Sequence, residues 1–185
     1  MLITFGHGTA SAGRITGLLH GAGIGALVDV RIAPGSRRSP HVARAELERW
    51  LPAAGVAYRW EKPLGGRRPV PPDSPDTAWR EPAFRGYAAW MRQATFAAAV
   101  DGLLSQVDEQ VAAAPDAPHV AVMCSESSWR NCHRRLVADF VTVARQREVC
   151  HLGHDGTLSG HEPSPGLRHT EAGLLVYDGG QDRLL

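Results

Sequence analysis

The chain has 185 residues, 43% of them hydrophobic, which is enough for one domain with a substantial buried core. Its formal net charge of +1 excludes an overall electrostatic drive onto nucleic acid or anionic membrane, and no apolar run is long enough to span a bilayer. Three cysteines, an odd count, argue against a disulfide framework. With a start that reads as a strand rather than a signal peptide, they point to a reducing, cytoplasmic setting.

Leu2 to Phe5 reads as a first strand. Thr9 or Ser11 caps a helix through about Ala22, with Ile15, Leu18 and Leu19 as its apolar stripe. Ala26 to Val30 is a second buried strand, followed by a loop rich in Pro, Ser and Arg from Arg31 to Val42. Ala43 to Ala54 reads as a helix with Leu47, Trp50 and Leu51 inward, and Val56 to Trp60 as a third strand. Residues 61 to 82 lack periodicity and predict a long surface loop, a length usually associated with function.

Two helices follow, Ala83 to Arg92 and Thr95 to about Ala113. Beyond the Pro115 to Pro118 turn region comes a fourth strand, Val120 to Met123, which ends on Cys124. A polar loop leads into a helical pattern whose first turn is expected to hold Cys132, His133, Arg134 and Arg135. Leu136, Val137, Phe140, Val141 and Ala144 form its apolar face. A fifth strand is read at Glu148 to Leu152. The tail, 153–185, is rich in Gly and His, with one apolar run at Leu174 to Tyr177 suited to a short hairpin on the same domain.

This alternation predicts a three-layer α/β fold: a mostly parallel five-stranded sheet, helices on both faces, a long loop after strand three and an extra C-terminal tail. Residues 1–152 form the α/β domain and 153–185 the extension. In a parallel sheet the carboxyl ends of the strands share one edge, where α/β proteins place their ligands. His7, Asp29, Arg31 and Cys124 fall at those ends, and the loops after them carry Ser36, Arg37, Arg38, Gly65, Gly66, Arg67 and Glu126.

Several motifs repeat a pattern known from one family. They are Gly6-His7, with Gly8 where a serine is usual; Asp29-Val30-Arg31 with Pro34 and Ser36; and Leu64-Gly65-Gly66. Phe84-Arg-Gly-Tyr87 with Trp90-Met91, and Cys124-Ser-Glu126 followed by Cys132-His133-Arg134, complete the set. Over roughly residues 2 to 152 the chain resembles the prokaryotic family called domain of unknown function 488. The resemblance implies the α/β fold and a site built on these residues, Tyr87 among them. It supplies no reaction.

Cys124 is the candidate nucleophile, its thiol activated by a helix amino terminus, His133 or nearby arginines; the plain alternative is a buried cysteine ending a core strand. Glu126 suits a general acid or base and equally a solvated loop carboxylate. His7 fits a ligand-binding first turn or a hydrogen-bonded turn histidine, and Asp29 would orient His7 or pair with Arg31. Arg134 is the better arginine for an anion, Arg135 being placed to pair with Asp139 one turn on. Cys124 to Arg130 matches the spacing of a phosphate-cradling Cys-x5-Arg loop, but Glu126 and Trp129 within it are wrong for an anion. Cys124, Cys132 and His133 offer a competing metal set for zinc or iron, although their spacing is not a standard one. His151, His154 and His161 are too irregularly spaced for a metal site.

Three classes of function therefore stay open. One is a cysteine-dependent enzyme acting on an anionic, phosphate-bearing small molecule or nucleotide. The second is a module that binds a nucleotide or nucleic acid without chemistry, with Trp79 and Trp129 available to stack on a base. The third is a metal-binding or redox-sensing protein that uses the two thiols.

Overall fold

The fold is seen in a computed structural model, which describes residues 1–114 and 118–179. The turn expected from Pro115 lies largely outside the described residues. Six strands form the main sheet: β1 Leu2–Gly6, β2 Ile24–Asp29, β3 Ala57–Trp60, β4 His119–Cys124, β5 Val149–Leu152 and β6 Leu158–Gly160. Their order is β3-β2-β4-β1-β5-β6. The first five are parallel, and β6 returns antiparallel to β5. The predicted parallel sheet is therefore present with one more strand, supplied by the tail. Leu158 sits on that edge, and its lack of a long apolar pattern hid the strand.

The central position of β4 explains its composition. It pairs with β1 on one side and β2 on the other, so both its faces are covered and it reads as an unbroken apolar run. Alternation along it divides the core. Ala121 and Met123, with Ile3, Phe5 and Leu27, pack on helices α1 (Ala12–Gly21) and α2 (Arg44–Ala53). Val120, Val122 and Cys124 face the other layer, formed by α3 (Pro82–Met91), α4 (Ala94–Ala113) and α5 (Arg134–Asp139). Ser11 caps α1 through its hydroxyl, which accepts from the Arg14 N–H at 3.3 Å.

The helix after β4 departs from expectation. Cys132 has an extended backbone and His133 is the cap, so α5 begins only at Arg134. After Asp139 the chain widens into a π-helical turn, Phe140–Ala144, which keeps Phe140 and Val141 in the core. The residues beyond 160 add a separate two-stranded hairpin, β7 Leu167–His169 and β8 Leu175–Tyr177. Among the described residues no helix is long and apolar enough to cross a membrane.

A buried polar chain ties this hairpin and β5 to the rest. Thr4 Oγ1 bonds His151 Nδ1 at 2.6 Å, His151 Nε2 bonds His161 Nδ1 at 2.9 Å, and His161 Nε2 bonds Asp139 Oδ1 at 2.8 Å. The Tyr177 hydroxyl donates to Asp139 Oδ2 at 2.8 Å, and the Ser164 N–H to Oδ1 at 2.9 Å. Asp139 is thus engaged inside the protein and does not pair with Arg135, whose Nε donates to Ser164 Oγ at 2.7 Å. The Trp129 ring stacks on His151 at 3.9 Å.

Burial, with His161, Arg134 and Arg130 nearby, lowers the pKa of His151 to about 3. The unfolded chain takes up this proton near pH 6.5 while the folded chain resists it, so the stabilisation is complete above pH 6.5 and is lost as pH falls towards 3. Chemical denaturation at pH 7 and pH 4.5 is expected to show wild type losing roughly 2 kcal/mol more than His151→Gln over that interval. Equal losses in the two proteins would remove His151 as the cause.

Candidate functional site

The ladder register brings the strand ends together: Gly6 pairs with Cys124, and Asp29 with Met123. Two tethered groups follow. The Asp29 carboxylate, fully buried, accepts from the Arg31 backbone N–H at 3.0 Å and from Arg31 Nε at 2.9 Å. It also accepts from the Tyr58 hydroxyl at 2.8 Å. Arg31 NH2 further donates to the Val42 carbonyl at 2.8 Å, which leaves NH1 with His7 Nε2 at 3.4 Å as its one bond among the described residues. The other nitrogen of His7 donates to the Gly8 carbonyl at 2.9 Å. Burial and the neighbouring Arg31 lower the His7 pKa to about 4. His7 is thus a neutral ring that buttresses Arg31, and Asp29 orients Arg31 rather than His7.

The second group is the sulfur cluster. Cys124 ends β4 on the α5 face, and the loop 125–131 returns Cys132 beside it. The sulfurs of Cys124 and Cys132 and a ring nitrogen of His133 all lie within 4.8 Å of one another. His133 Nε2 donates to the Val30 carbonyl at 3.0 Å, which turns Nδ1 to the sulfurs, 3.8 Å from Cys124 and 3.7 Å from Cys132. Gly66 makes room for this ring: a Cβ there would sit 2.9 Å from His133 Nδ1. Tyr87 supports the ring from behind at 5.0 Å, its hydroxyl donating to the Leu64 carbonyl at 2.7 Å. It is fully buried and does not reach the pocket.

The two thiols are not equivalent. Cys132 is held well below the usual thiol range, first by the hydrogen bond from the Cys124 thiol, then by His133 and Arg134, against the effect of burial. Cys124 is pushed well above it for the reciprocal reason and by burial. Within the pair the lower thiol pKa falls on Cys132, the sulfur that faces the Arg134 guanidinium. Arg134 adds to the stabilisation of the Cys132 thiolate. It is 1% exposed, its Nε donates to Cys132 Sγ at 3.3 Å and its NH2 donates to the Glu126 carbonyl. Its bonds are made inside the protein, so it is not the solvent-facing anion holder expected from the sequence.

A cavity opens above this cluster in two adjoining lobes. The larger, about 640 Å3, is walled by Glu81, Phe84, Glu126 and Asn131 with Cys132. The smaller, about 340 Å3, is walled by Arg31, Ile32, Ala33 and Gly35. Gly66, Arg67, Cys124, Ser125 and His133 line both. Arg67 is exposed and holds a left-handed backbone with φ of 60°, a conformation that costs a non-glycine residue roughly 1 kcal/mol.

The remaining candidates lie elsewhere. Ser36 accepts from the Ser39 N–H at 3.0 Å and stabilises its own loop. Arg37 is exposed and lines neither lobe, and Gly65 lets the loop pack on Ile32. Arg130 lies over the Trp129 ring and lines neither lobe, so the Cys-x5-Arg spacing builds no cradle. Glu81 and the Val30 carbonyl are the features the sequence reading did not pick, since a helix-capping acid and a backbone oxygen carry no motif, whereas Arg67 was reached through its loop after strand three.

The family model described as domain of unknown function DUF488 matches residues 11–141. No curated protein and no solved structure matches the chain.

Because Arg134 answers both a buried sulfur and a buried carbonyl, removing its charge leaves both unpartnered. Arg134→Met is expected to lower unfolding stability by about 3 kcal/mol in urea titration at pH 7. A loss below about 1 kcal/mol would show that the guanidinium is not needed there.

Proposed function

The chain belongs to the DUF488 family, whose function is unknown, and within it we propose a metal-dependent enzyme with its ion, zinc or iron, on Cys124, Cys132 and His133. The observation that carries this proposal is the convergence of two sulfurs and one imidazole nitrogen within 4.8 Å, with the other ring N–H fixed on the Val30 carbonyl. Metal-bound histidines characteristically have such a second bond, because it fixes both ring orientation and tautomer. Two thiolates and one imidazole suit zinc or iron, and a three-residue set that opens on a cavity is the pattern of a catalytic rather than a structural zinc site. An ion held there would supply Lewis acidity towards a carbonyl or phosphoryl oxygen.

The chain's own groups have separate tasks. Cys124, Cys132 and His133 would hold the ion, Arg134 donates to the Cys132 sulfur and favours its thiolate, and Glu126 would serve as the proton acceptor in the same cavity. Arg31 and Arg67 favour an anionic small molecule, including a nucleotide, as substrate. Nucleic acid is the weaker partner: Trp129 is stacked on His151 and Trp79 packs against Phe84 and Tyr177, so neither ring is free to take a base.

A second proposal, a redox pair, is favoured by the closeness of the two sulfurs, which lie within 4.8 Å of each other. In that case a peroxide takes two electrons from the pair: the Cys132 thiolate and the Cys124 thiol become one disulfide, the O–O bond breaks, and the peroxide leaves as water and hydroxide, with the Cys124 proton on one of its oxygens.

Metal analysis of protein purified without chelator is expected to give one zinc or iron per chain, falling below a tenth of that in Cys132→Ser. Gly66→Ala, whose added methyl meets His133, is expected to weaken metal affinity at least tenfold with an unchanged circular dichroism spectrum. Wild type that holds no metal after reconstitution, yet forms a Cys124–Cys132 crosslink with mild peroxide, would replace the metal proposal with the redox one.

A further inference from the structure

The two lobes of the cavity differ in charge. The smaller has no acidic residue in its wall and holds Arg31 and Arg67. Arg31 is immobilised by Asp29 and Val42, with NH1 bonded, among the described residues, only to His7. Arg67 has no hydrogen bond or ion pair among the described residues, and its left-handed backbone holds the side chain on the wall common to both lobes. An exposed arginine kept in a costly backbone conformation, beside a second arginine whose geometry is locked, is arranged for an oxyanion.

The larger lobe has the opposite wall. Glu81 caps α3 in position but makes no side-chain bond to that helix, and neither Glu81 nor Glu126 has an ion pair among the described residues. Phe84 adds an apolar surface between them and the sulfur cluster. Two unpaired carboxylates in one wall favour a group that donates hydrogen bonds and carries positive charge. Cys124 and His133 belong to both lobes, so whatever spans the cavity passes over the sulfur cluster.

We infer that the cavity takes a bipolar small molecule, with its phosphate or carboxylate between Arg31 and Arg67, its amine on Glu81, and the bond to be acted on over Cys124 and His133. This rests on the cavity being a substrate site, as in the proposed function. It goes further in excluding simple dianions as the preferred ligand. Glu126 keeps its task as proton acceptor, and Glu81 is the residue that recognises the cationic end. A molecule with only the anionic end would fill the smaller lobe and leave the carboxylate wall unanswered.

The test uses zinc-reconstituted full-length protein, inorganic phosphate as the monopolar probe and phosphoethanolamine as the bipolar one, with calorimetric titration and metal content measured on each sample. Phosphoethanolamine is expected to bind at least tenfold more tightly than phosphate. Glu81→Gln should abolish that advantage while leaving phosphate affinity unchanged, and Arg67→Met should weaken both probes at least tenfold. Equal affinity for the two probes in wild type would overturn the inference, as would an advantage that survives in Glu81→Gln or binding indifferent to Arg67→Met. Metal content separates the two levels of argument. Zinc retained without a bipolar preference sinks this inference alone, whereas arginine-dependent probe binding in protein that takes no zinc sinks the metal centre alone.

Discussion

The architecture of the site depends on one buried cation. The Arg134 guanidinium is almost closed to water and joins three parts of the chain: the end of β1 at Gly6, the loop after β4 through the Glu126 carbonyl, and the sulfur of Cys132. A charge in such a place is tolerated only when its donors are answered. Answering them dictates the neighbours. Position 6 has no room for a Cβ, since one there would run into both the Glu126 carbonyl and the guanidinium. The loop must return so that its carbonyl and Cys132 face the same arginine, and a thiolate at Cys132 is the counter-charge that makes the burial affordable.

The Asp29–Arg31 pair does the same work on the neighbouring strand end. Asp29 takes the Nε and NH2 side of the guanidinium, Val42 takes a further NH2 bond, and His7 meets what is left. The two arginines therefore have different fates. Arg134 is spent on holding the sulfur loop in place, and Arg31 is presented to the cavity with its orientation fixed from behind. Between them the parallel register of β1, β4 and β2 sets the spacing, because Gly6, Cys124 and Asp29 end their strands within one residue of each other. Rigid strand ends locate Cys124, Asp29 and Arg31, and the loop after β4 brings Cys132 and His133 to them.

Much of this was legible in the sequence, for a physical reason. A strand buried on both faces has to be continuously apolar, so β4 and β2 announced themselves, and with them the sheet edge where Cys124, Asp29 and Arg31 gather. The family resemblance rested on the same residues, and the family match over residues 11–141 agrees with it. What the sequence did not reveal was direction. Arg134 and Arg37 look alike as letters, yet one is sealed inside and the other is exposed on a loop; for Arg134 the helix phase could not be fixed, since the start of α5 lies two residues later than the pattern suggests. Tyr87 was singled out through the resemblance, and its place behind His133 is a packing role. The His151–His161–Asp139 chain was equally hidden, since its members come from β5, the tail and α5, and only the folded register makes them neighbours.

The short helix also bears on how the site handles charge. α5 has six residues before the π-helical turn, and Cys132 lies ahead of it in extended conformation. A helix dipole is therefore a poor source of thiolate stabilisation here, and side chains must provide it. With Cys132 as thiolate, Cys124 as thiol and Arg134 as cation, the charges of the cluster sum to zero. In the proposed loading, Cys124 and Cys132 would both hold the divalent ion as thiolates, and the sum would become +1. That single surplus charge would sit on the floor shared by both lobes, next to Arg31 and Arg67. Metal uptake and anion binding are then coupled through electrostatics alone: each lowers the cost of the other, with no movement of the fold required.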